Sequence, residues 1–419
     1  MDIRLQANIL KGSVKVPSSK SAAHRAVIAG ALSKGKSAIK GVTMCDDIVA
    51  TIGAVESLGA TVDIIGDTVT VAGIEAPATK AIIDCKESGS TLRFMIPIAT
   101  AFGTNATFIG SGRLPKRPLD DIITALSHCG VTFNRLSTDY LPLETSGRTA
   151  QKQVNIAGNV SSQYLTGLLF ASAIKGGNVA LTTTLESSAY IDMTCQMIEK
   201  FGGKVDVNNG VYTLSGSLSA RQLEVEGDWS AAAFFFEAAA LGSKIEIEGL
   251  DLLSKQADKT CIDIFSKMGV KIEYSDGKYR LAPPTKLVAT DMDASQCPDL
   301  VPAVAVAMGF AEGVSTIYNA KRLRIKESDR LKAVADGLAA LGIKTKLEDD
   351  KITIFGGKGH SGTVDSVNDH RIAMAFACAC CAVKSEIIIK DAHSVSKSYP
   401  DFFDVFNRLG GKVDVINNW

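Results

Sequence analysis

The sequence predicts a mixed α/β chain assembled from six small α+β units. Three observations carry that prediction. A helical stretch ended by Gly and followed by an alternating strand occurs six times. The copies are evenly spaced over all 419 residues. The composition, 46% hydrophobic and 21% charged, suits a well-cored globular chain and excludes wholesale disorder.

The phrase reads ESLGATVDII from Glu56, LSHCGVTFNR from Leu126 and IEKFGGKVDV from Ile198. It returns as FSKMGVKIEY from Phe265, LAALGIKTKL from Leu338 and FNRLGGKVDV from Phe406. The marker glycines are Gly59, Gly130, Gly202, Gly269, Gly342 and Gly410, separated by 71, 72, 67, 73 and 68 residues. Each Gly suits the C′ position that ends a helix. Alternation such as Val205-Asp206-Val207 and Ile272-Glu273-Tyr274 reads as a half-buried strand. Asn209-Gly210 and Asp276-Gly277 read as tight turns into a second strand, which makes hairpins. A unit is therefore a helix, a strand and its hairpin partner, with a further strand and helix. The period is too long for a rod-like solenoid, so separate subdomains are expected. The length alone suggests roughly two to four domains.

Lys and Arg total 45 and Asp and Glu total 45, so the net charge is zero. That argues against a polybasic nucleic-acid binder. No apolar run reaches the ~18 residues that span a bilayer. The longest are 300–311 and 231–241, and Glu237 interrupts the second. The first residues lack the charged-then-apolar pattern of a signal peptide. A soluble, cytoplasmic protein is expected. Nine Cys is an odd, scattered count, which argues against a disulfide framework. Cys378 and Cys381 have CxxC spacing, but they alternate with Ala and no second pair follows, so they read as buried small hydrophobes. With five His and no HExxH, no metal site is expected. No GxxxxGK[ST], no GxGxxG after a strand and no GxSxG occurs, so neither a nucleotide nor a hydride cofactor is indicated.

Several cations stand where a loop enters a helix. VPSSKSAAHR places Lys20 at the mouth of an Ala-rich helix that Ser18, Ser19 or Ser21 can cap. ESGSTLR precedes the apolar stretch 94–101, and Ser161-Ser162-Gln163 opens the stretch 164–174. In KESDR, Ser328 is a candidate cap. NDHR precedes the stretch 372–383, and SVSKSYP places Pro400 in the first turn of another helix. Helix N-termini offer unpaired N–H groups and a positive dipole end; an added Lys or Arg makes an anion site. Taken singly, each reads more readily as a capped helix with a surface cation. Their recurrence favours a strongly anionic small ligand. Asp299 and Glu327 are the candidate acid–base groups, with helix capping and salt bridging as their structural alternatives.

PSSKSAAHRA, ESGSTLRF, RLPKRPL, SSQYLTGLL, SSAYIDMT, PDLVPAVAV, RLRIKESDRL, NDHRIAMAF and VSKSYPDFF follow one another along the chain. In this order they resemble the 3-phosphoshikimate 1-carboxyvinyltransferase (EPSP synthase) family of enolpyruvyl transferases, over essentially the full length. The resemblance implies two domains, each of three βαβαββ-type units with helices packed inside, joined by a two-stranded hinge beside a cleft. It places one domain at 17–227 and the other at 1–16 plus 228–419. It implies transfer of the enolpyruvyl group of phosphoenolpyruvate to the 5-hydroxyl of 3-phosphoshikimate, with release of phosphate through a tetrahedral ketal. It further implies no metal or organic cofactor, no nucleic-acid or membrane partner, and a monomer.

Carried over by position, the resemblance assigns catalytic roles to Asp299, Glu327, Lys20 and Lys326. It assigns 3-phosphoshikimate to Lys20, Ser21, Arg25, Ser161, Ser162, Gln163, Ser187, Tyr190, Asp299, Arg322 and Lys326. It assigns phosphoenolpyruvate to Lys20, Gly89, Arg117, Gln163, Arg330, Arg371 and Lys397. Glu327 would handle the proton at the methylene carbon. Glu87, His24 and Arg322 each replace an Asn common in the family. Gly89 is retained, which implies sensitivity to glyphosate. Two alternatives remain. A sister transferase acting on UDP-N-acetylglucosamine shares the architecture, but many members carry a Cys acid in a loop that here, at 110–118, has none. A non-catalytic repeat protein that binds an anionic metabolite would not need Asp299 and Glu327 beside the cations.

Overall fold

Each of the six copies builds the same four-stranded sheet. The computed structural model describes residues 1–6 and 9–417. In one sheet, Lys80–Asp84 lies parallel to Asn105–Ile109, which pairs antiparallel with Leu143–Ser146, itself the hairpin partner of Thr132–Arg135. A helix joins the first strand to the second, and another the second to the third. The other five sheets repeat this order. This is the βαβαββ unit, six times. The marker glycines hold φ of 111°, 90°, 94°, 101°, 80° and 98°, the left-handed region a helix-ending C′ position uses. Asn209 with Gly210 and Asp276 with Gly277 all have positive φ, as a two-residue hairpin turn demands.

The chain divides into two compact units, Met1–Pro17 with Gly227–Trp419, and Ser18–Glu226. These limits lie one residue from 16/17 and 227/228, and backbone bonds explain the shift. Gly227 N–H donates to Gly249 O, and Asp228 N–H to Pro17 O. Ser19 N–H donates to Glu226 O, while Ser18 is bonded to Thr43. Two strands therefore part from the helices that follow them. Lys11–Lys15 pairs with Lys244–Glu248, and Gln222–Glu224 with Lys36–Lys40. Asp2–Gln6 completes the sheet of the last copy, between Ile387–Lys390 and Lys412–Asn417.

Each unit has a single apolar core. The helices joining first to second strands supply most of it. In one unit these are Lys20–Ala31, Gly89–Phe102 and Ser162–Lys175; in the other, Trp229–Ala240, Val301–Gly309 and His370–Cys378. Every residue of the last two is buried. A helix apolar all round needs neighbours on all sides, which is why these lie inside their units. The second helix of each copy is shorter or more amphipathic and covers one side of its sheet. The strand after each marker glycine is more exposed than its alternation predicts. Thr61–Ile65, Lys204–Asn208 and Lys271–Ser275 all bury little. Each is an outermost strand of its sheet, so Val62, Val205 and Ile272 meet the core only partly buried while the hairpin partner buries its alternate residues.

Among the described residues no cysteine is joined in a disulfide. Among the described residues no helix is long and apolar enough to cross a membrane, and no group of three or more His, Cys, Asp or Glu could hold a metal ion. A regular polar device recurs where the first strand of a copy ends. Asp84, Asp293 and Asp365 close their strands and accept from the N–H two residues on, at 2.8, 2.8 and 2.7 Å.

Glu237 sits inside the apolar helix Trp229–Ala240 with neither carboxyl oxygen hydrogen-bonded. Burial, then the nearby Cys381 thiol, pushes its pKa well above the usual carboxylate range. A raised native pKa gives stability that is complete in acid and is lost as pH rises through that pKa. Glu237→Met is expected to raise stability by about 1–3 kcal/mol near pH 8, with a smaller gain near pH 5. Thermal unfolding at the two pH values checks this; an equal gain at both would contradict it.

Candidate active site

In the unit Ser18–Glu226, Ser19 caps the helix Lys20–Ala31 by accepting from Ala22 N–H. Lys20, the first helical residue, ion-pairs with Asp47 at 2.7 Å. Arg25, one turn further, is buried and fully directed. Its Nε donates to Thr194 Oγ1 at 2.8 Å, and one terminal nitrogen to Ser21 O at 2.7 Å. The other donates to Tyr190 O at 2.9 Å and Thr166 Oγ1 at 3.3 Å. One of its five N–H groups is left. Arg25 thus ties Ser21 to Tyr190, and its partners are neutral. Burial lowers its pKa to about 10, which leaves it charged near neutrality.

His24 faces inward. Its Nδ1 lies 2.7 Å from Thr51 Oγ1, which is 2.7 Å from Thr91 Oγ1, which donates to Ser88 Oγ at 2.8 Å. Burial, then the charges of Lys20 and Arg25, holds its pKa well below the ordinary histidine value. Ser88 caps the helix Gly89–Phe102. At its first residue, a Cβ on Gly89 would come within 2.5 Å of one Arg117 terminal nitrogen and 2.8 Å of one on Arg93. Two guanidinium groups therefore crowd this helix start, where the dipole is also positive. Arg93 donates to Gln163 Oε1 at 3.3 Å and Pro118 O at 3.2 Å, and Gln163 Nε2 donates to Ser90 Oγ at 2.9 Å. Ser161 caps the helix Ser162–Lys175, and Ser162 is buried in its first turn. Ser187, before the helix Ser188–Lys200, has φ 54°. Glu87 turns towards Gly112: a Cβ there would lie 2.3 Å from its carboxylate.

In the other unit an ion-pair network joins five of the expected residues. Arg330 is 1% exposed and lies at its centre. Its Nε donates to Asp369 at 2.8 Å, and its terminal nitrogens to Asp299 at 2.7 Å and Glu327 at 2.6 Å. Asp299 also accepts from Arg371 at 3.0 Å and pairs with Lys326 at 3.6 Å. Burial alone would raise its pKa, but Arg371, Lys326 and Arg330 hold it well below the carboxylate range. Lys326 is lowered by burial, against the pull of Asp299. Lys397 donates to Asn368 O at 2.7 Å, beside Asp369. Arg322 donates to Ser295 O at 2.7 Å, four residues before Asp299.

Some local expectations change. Asp329, not Ser328, caps the helix Arg330–Ala340, because the Ser328 hydroxyl is turned to Asp369. Asp299 stands within the short 3₁₀ turn Pro298–Leu300, not at a capping position. Pro400 precedes the helix Phe402–Arg408 instead of opening it. Glu327 does form the salt bridge that was its structural alternative. Three residues central to the geometry escape sequence reasoning: Asp47, Arg93 and Asp369. Arg93 and Asp369 lie within ESGSTLR and NDHR, so their motifs were visible though their roles were not. Asp47 is an acidic residue in a first helical turn, where any surface helix favours one.

The repeated unit and this network define an enolpyruvyl transferase-type protein. A family model described as EPSP synthase (3-phosphoshikimate 1-carboxyvinyltransferase) matches residues 6–406. The chain is 42% identical to the 3-phosphoshikimate 1-carboxyvinyltransferase of Clostridium beijerinckii and 40% identical to that of Clostridioides difficile, in each case over 99% of both chains. The solved EPSP synthase of Acinetobacter baumannii superposes with a TM-score of 0.81 at 26% identity, over 99% of this chain and all of that one. The chain belongs to the EPSP synthase family.

Asp369 accepts from Arg371 N–H at 3.0 Å as helix cap, and it also holds Ser328 and Arg330. One carboxylate therefore orients both arginines. Asp369→Asn is expected to lower kcat/KM by roughly 10²-fold while the fold survives. Steady-state kinetics alongside circular dichroism measures this, and a loss below threefold would contradict the role.

Proposed function

We propose that this chain transfers the enolpyruvyl group of phosphoenolpyruvate to the 5-hydroxyl of 3-phosphoshikimate through the residues described above. The single observation that supports it best is the Arg330 network, which gathers the ionised Asp299 and the carboxyl group of Glu327 among several cations. Phosphoenolpyruvate and 3-phosphoshikimate each carry a carboxylate and a phosphate. These four anionic groups repel unless cations offset them.

In the proposed cycle Glu327 gives a proton to the methylene carbon. The neighbouring carbon becomes electrophilic, and the 5-hydroxyl attacks it as Asp299 takes the hydroxyl proton. Lys326 stays by Asp299 and limits the charge change. A tetrahedral ketal phosphate results. Glu327 then recovers a proton from the methyl group as the C–O bond to phosphate breaks, and Asp299 passes the hydroxyl proton to the departing phosphate. Positioned acid–base groups of this kind contribute roughly 10²–10⁴-fold each. Arg371, Arg330 and Lys397 would bind phosphoenolpyruvate, and so would Arg117, Lys20 and Gln163 beside Gly89; fixed cations also stabilise the leaving phosphate. Ser21, Arg25, Ser161, Ser162, Gln163, Ser187, Tyr190 and Arg322 would bind 3-phosphoshikimate, with Lys20 touching both ligands. Four N–H groups of Arg25 are already used, so its main contribution is to fix Ser21 and Tyr190. The protein would act as a monomer in the cytoplasm.

Phosphate release from phosphoenolpyruvate, with 3-phosphoshikimate as acceptor, tests the reading. Release with UDP-N-acetylglucosamine alone would favour the sister transferase. Glu327→Gln should bind both substrates and turn over roughly 10²–10⁴-fold more slowly. Lys20→Ala and Arg371→Ala should abolish turnover and leave the fold intact. Normal rates in these variants would remove the assigned roles.

Glyphosate should inhibit the enzyme. Gly89→Ala should weaken that inhibition and raise KM for phosphoenolpyruvate, since the new methyl must displace Arg117 and Arg93. Inhibition curves for the two proteins check this; superimposed curves would contradict it.

A further inference from the structure

The helix Trp229–Ala240 starts two residues after Gly227, and the segment 256–258 clamps that start. Gln256 Oε1 accepts from Trp229 N–H at 3.0 Å, and its Nε2 donates to Gly227 O at 2.8 Å. Two residues on, Asp258 accepts a hydrogen bond from Ser230 Oγ with one oxygen. Its other oxygen has no partner, and the residue is 2% exposed. The same helix packs against Pro298–Leu300 and His370–Cys378, the elements that carry Asp299 and Arg371. The charged and titratable groups that face Asp258 are Asp299, Arg371, Asp228, Cys261 and Cys297. Arg371 spends a hydrogen bond on Asp299, not on Asp258.

A carboxylate this buried, with one hydroxyl donor and no ion pair, is costly as an anion. Burial, then the like charge of Asp299, pushes the Asp258 pKa up to about 7, against the pull of Arg371. Asp299 is held low at the same time. Two neighbouring carboxyls whose affinities for a proton are driven apart are the usual setting for acid–base division.

We propose that Asp258 is a positioning residue of the reaction: as the neutral acid it leaves Arg371 to Asp299 and to phosphoenolpyruvate, and as the anion it competes for that guanidinium. The inference rests on the reading of Arg371 and Asp299 given above. Ionisation of Asp258 releases its proton to solvent, and no bond of the substrate is involved.

The test combines rates of phosphate release with infrared spectra of the intact enzyme, between about pH 5 and 9. The wild-type kcat/KM for phosphoenolpyruvate is expected to fall several-fold as pH rises through about 7, with kcat changing less. Asp258→Asn should lack that limb, and Asp258→Glu should restore it. The wild-type spectrum should contain a protonated-carboxyl band that vanishes over the same pH range and is absent from Asp258→Asn. Superimposed pH profiles for wild type and Asp258→Asn would overturn the proposal, as would a wild-type spectrum without the titrating band. If Asp258→Asn does not fold, as thermal unfolding will show, the wild-type band and Asp258→Glu decide. A wild-type enzyme that releases no phosphate would sink the functional reading instead, and the band would still report on Asp258.

Discussion

One buried guanidinium organises the chemistry of the unit that contains Asp299. Arg330 is held by Asp369, Asp299 and Glu327 together, and it has almost no contact with solvent. Bringing these charges out of water is costly, and the cost is offset only while every partner is present. Loss of any one leaves a buried charge uncompensated. Asp299 extends the network to Arg371 and Lys326, so three cations keep this carboxylate ionised. Asp369 extends it to the backbone by capping the helix that bears Arg371. Side-chain geometry and helix geometry are therefore fixed by the same atoms.

Arg25 is the counterpart in the other unit, with an opposite consequence. Like Arg330 it is buried and has four of its N–H groups engaged. Its partners are two hydroxyls and two carbonyls, none of them charged. Its positive charge is held in place without being cancelled. Arg93 and Arg117, beside Gly89, add two more guanidinium groups nearby in the chain's fold. Lys20 has Asp47 as a carboxylate partner. The helix starts of this unit thus gather guanidinium groups whose partners described above are neutral, which suits anion binding. The other balances cations with carboxylates, which suits proton transfer.

How much of this the sequence discloses depends on the range of each interaction. The sixfold unit is legible because its signals are local: a C′ glycine after a helix, and Asn-Gly or Asp-Gly in a hairpin. The exposure of Lys204–Asn208 is not legible, because alternation does not say which strand of a hairpin lies at the sheet edge. Motifs such as KESDR and NDHR show where cations enter helices. They do not show that Ser328 bonds Asp369, a contact spanning 41 residues, and so cedes the cap to Asp329. Asp47 and Asp258 carry no signal of their own. One becomes notable only when Lys20 reaches it across 27 residues, the other only when packing buries it near Asp299.

The position of the chemistry within each copy follows from the repeat. The helices that join first to second strands are largely buried, so packing holds them along their length. Their N-termini carry many of the charged groups described above, and in three copies the end is set by a short turn after the first strand. Asp84, Asp293 and Asp365 fix that turn by the same hydrogen bond. Lys86, Val367 and Asn368 adopt positive φ within it, at a cost of roughly 1–3 kcal/mol each. A β-branched residue such as Val367 takes that conformation only when its surroundings enforce it. The turns lead directly to Ser88 and Gly89, to Asp299, and to Asp369 and Arg371. Buried helices with strained, hydrogen-bonded entrances place donors and charges at reproducible points, so an element repeated for packing also repeats a setting for charged side chains.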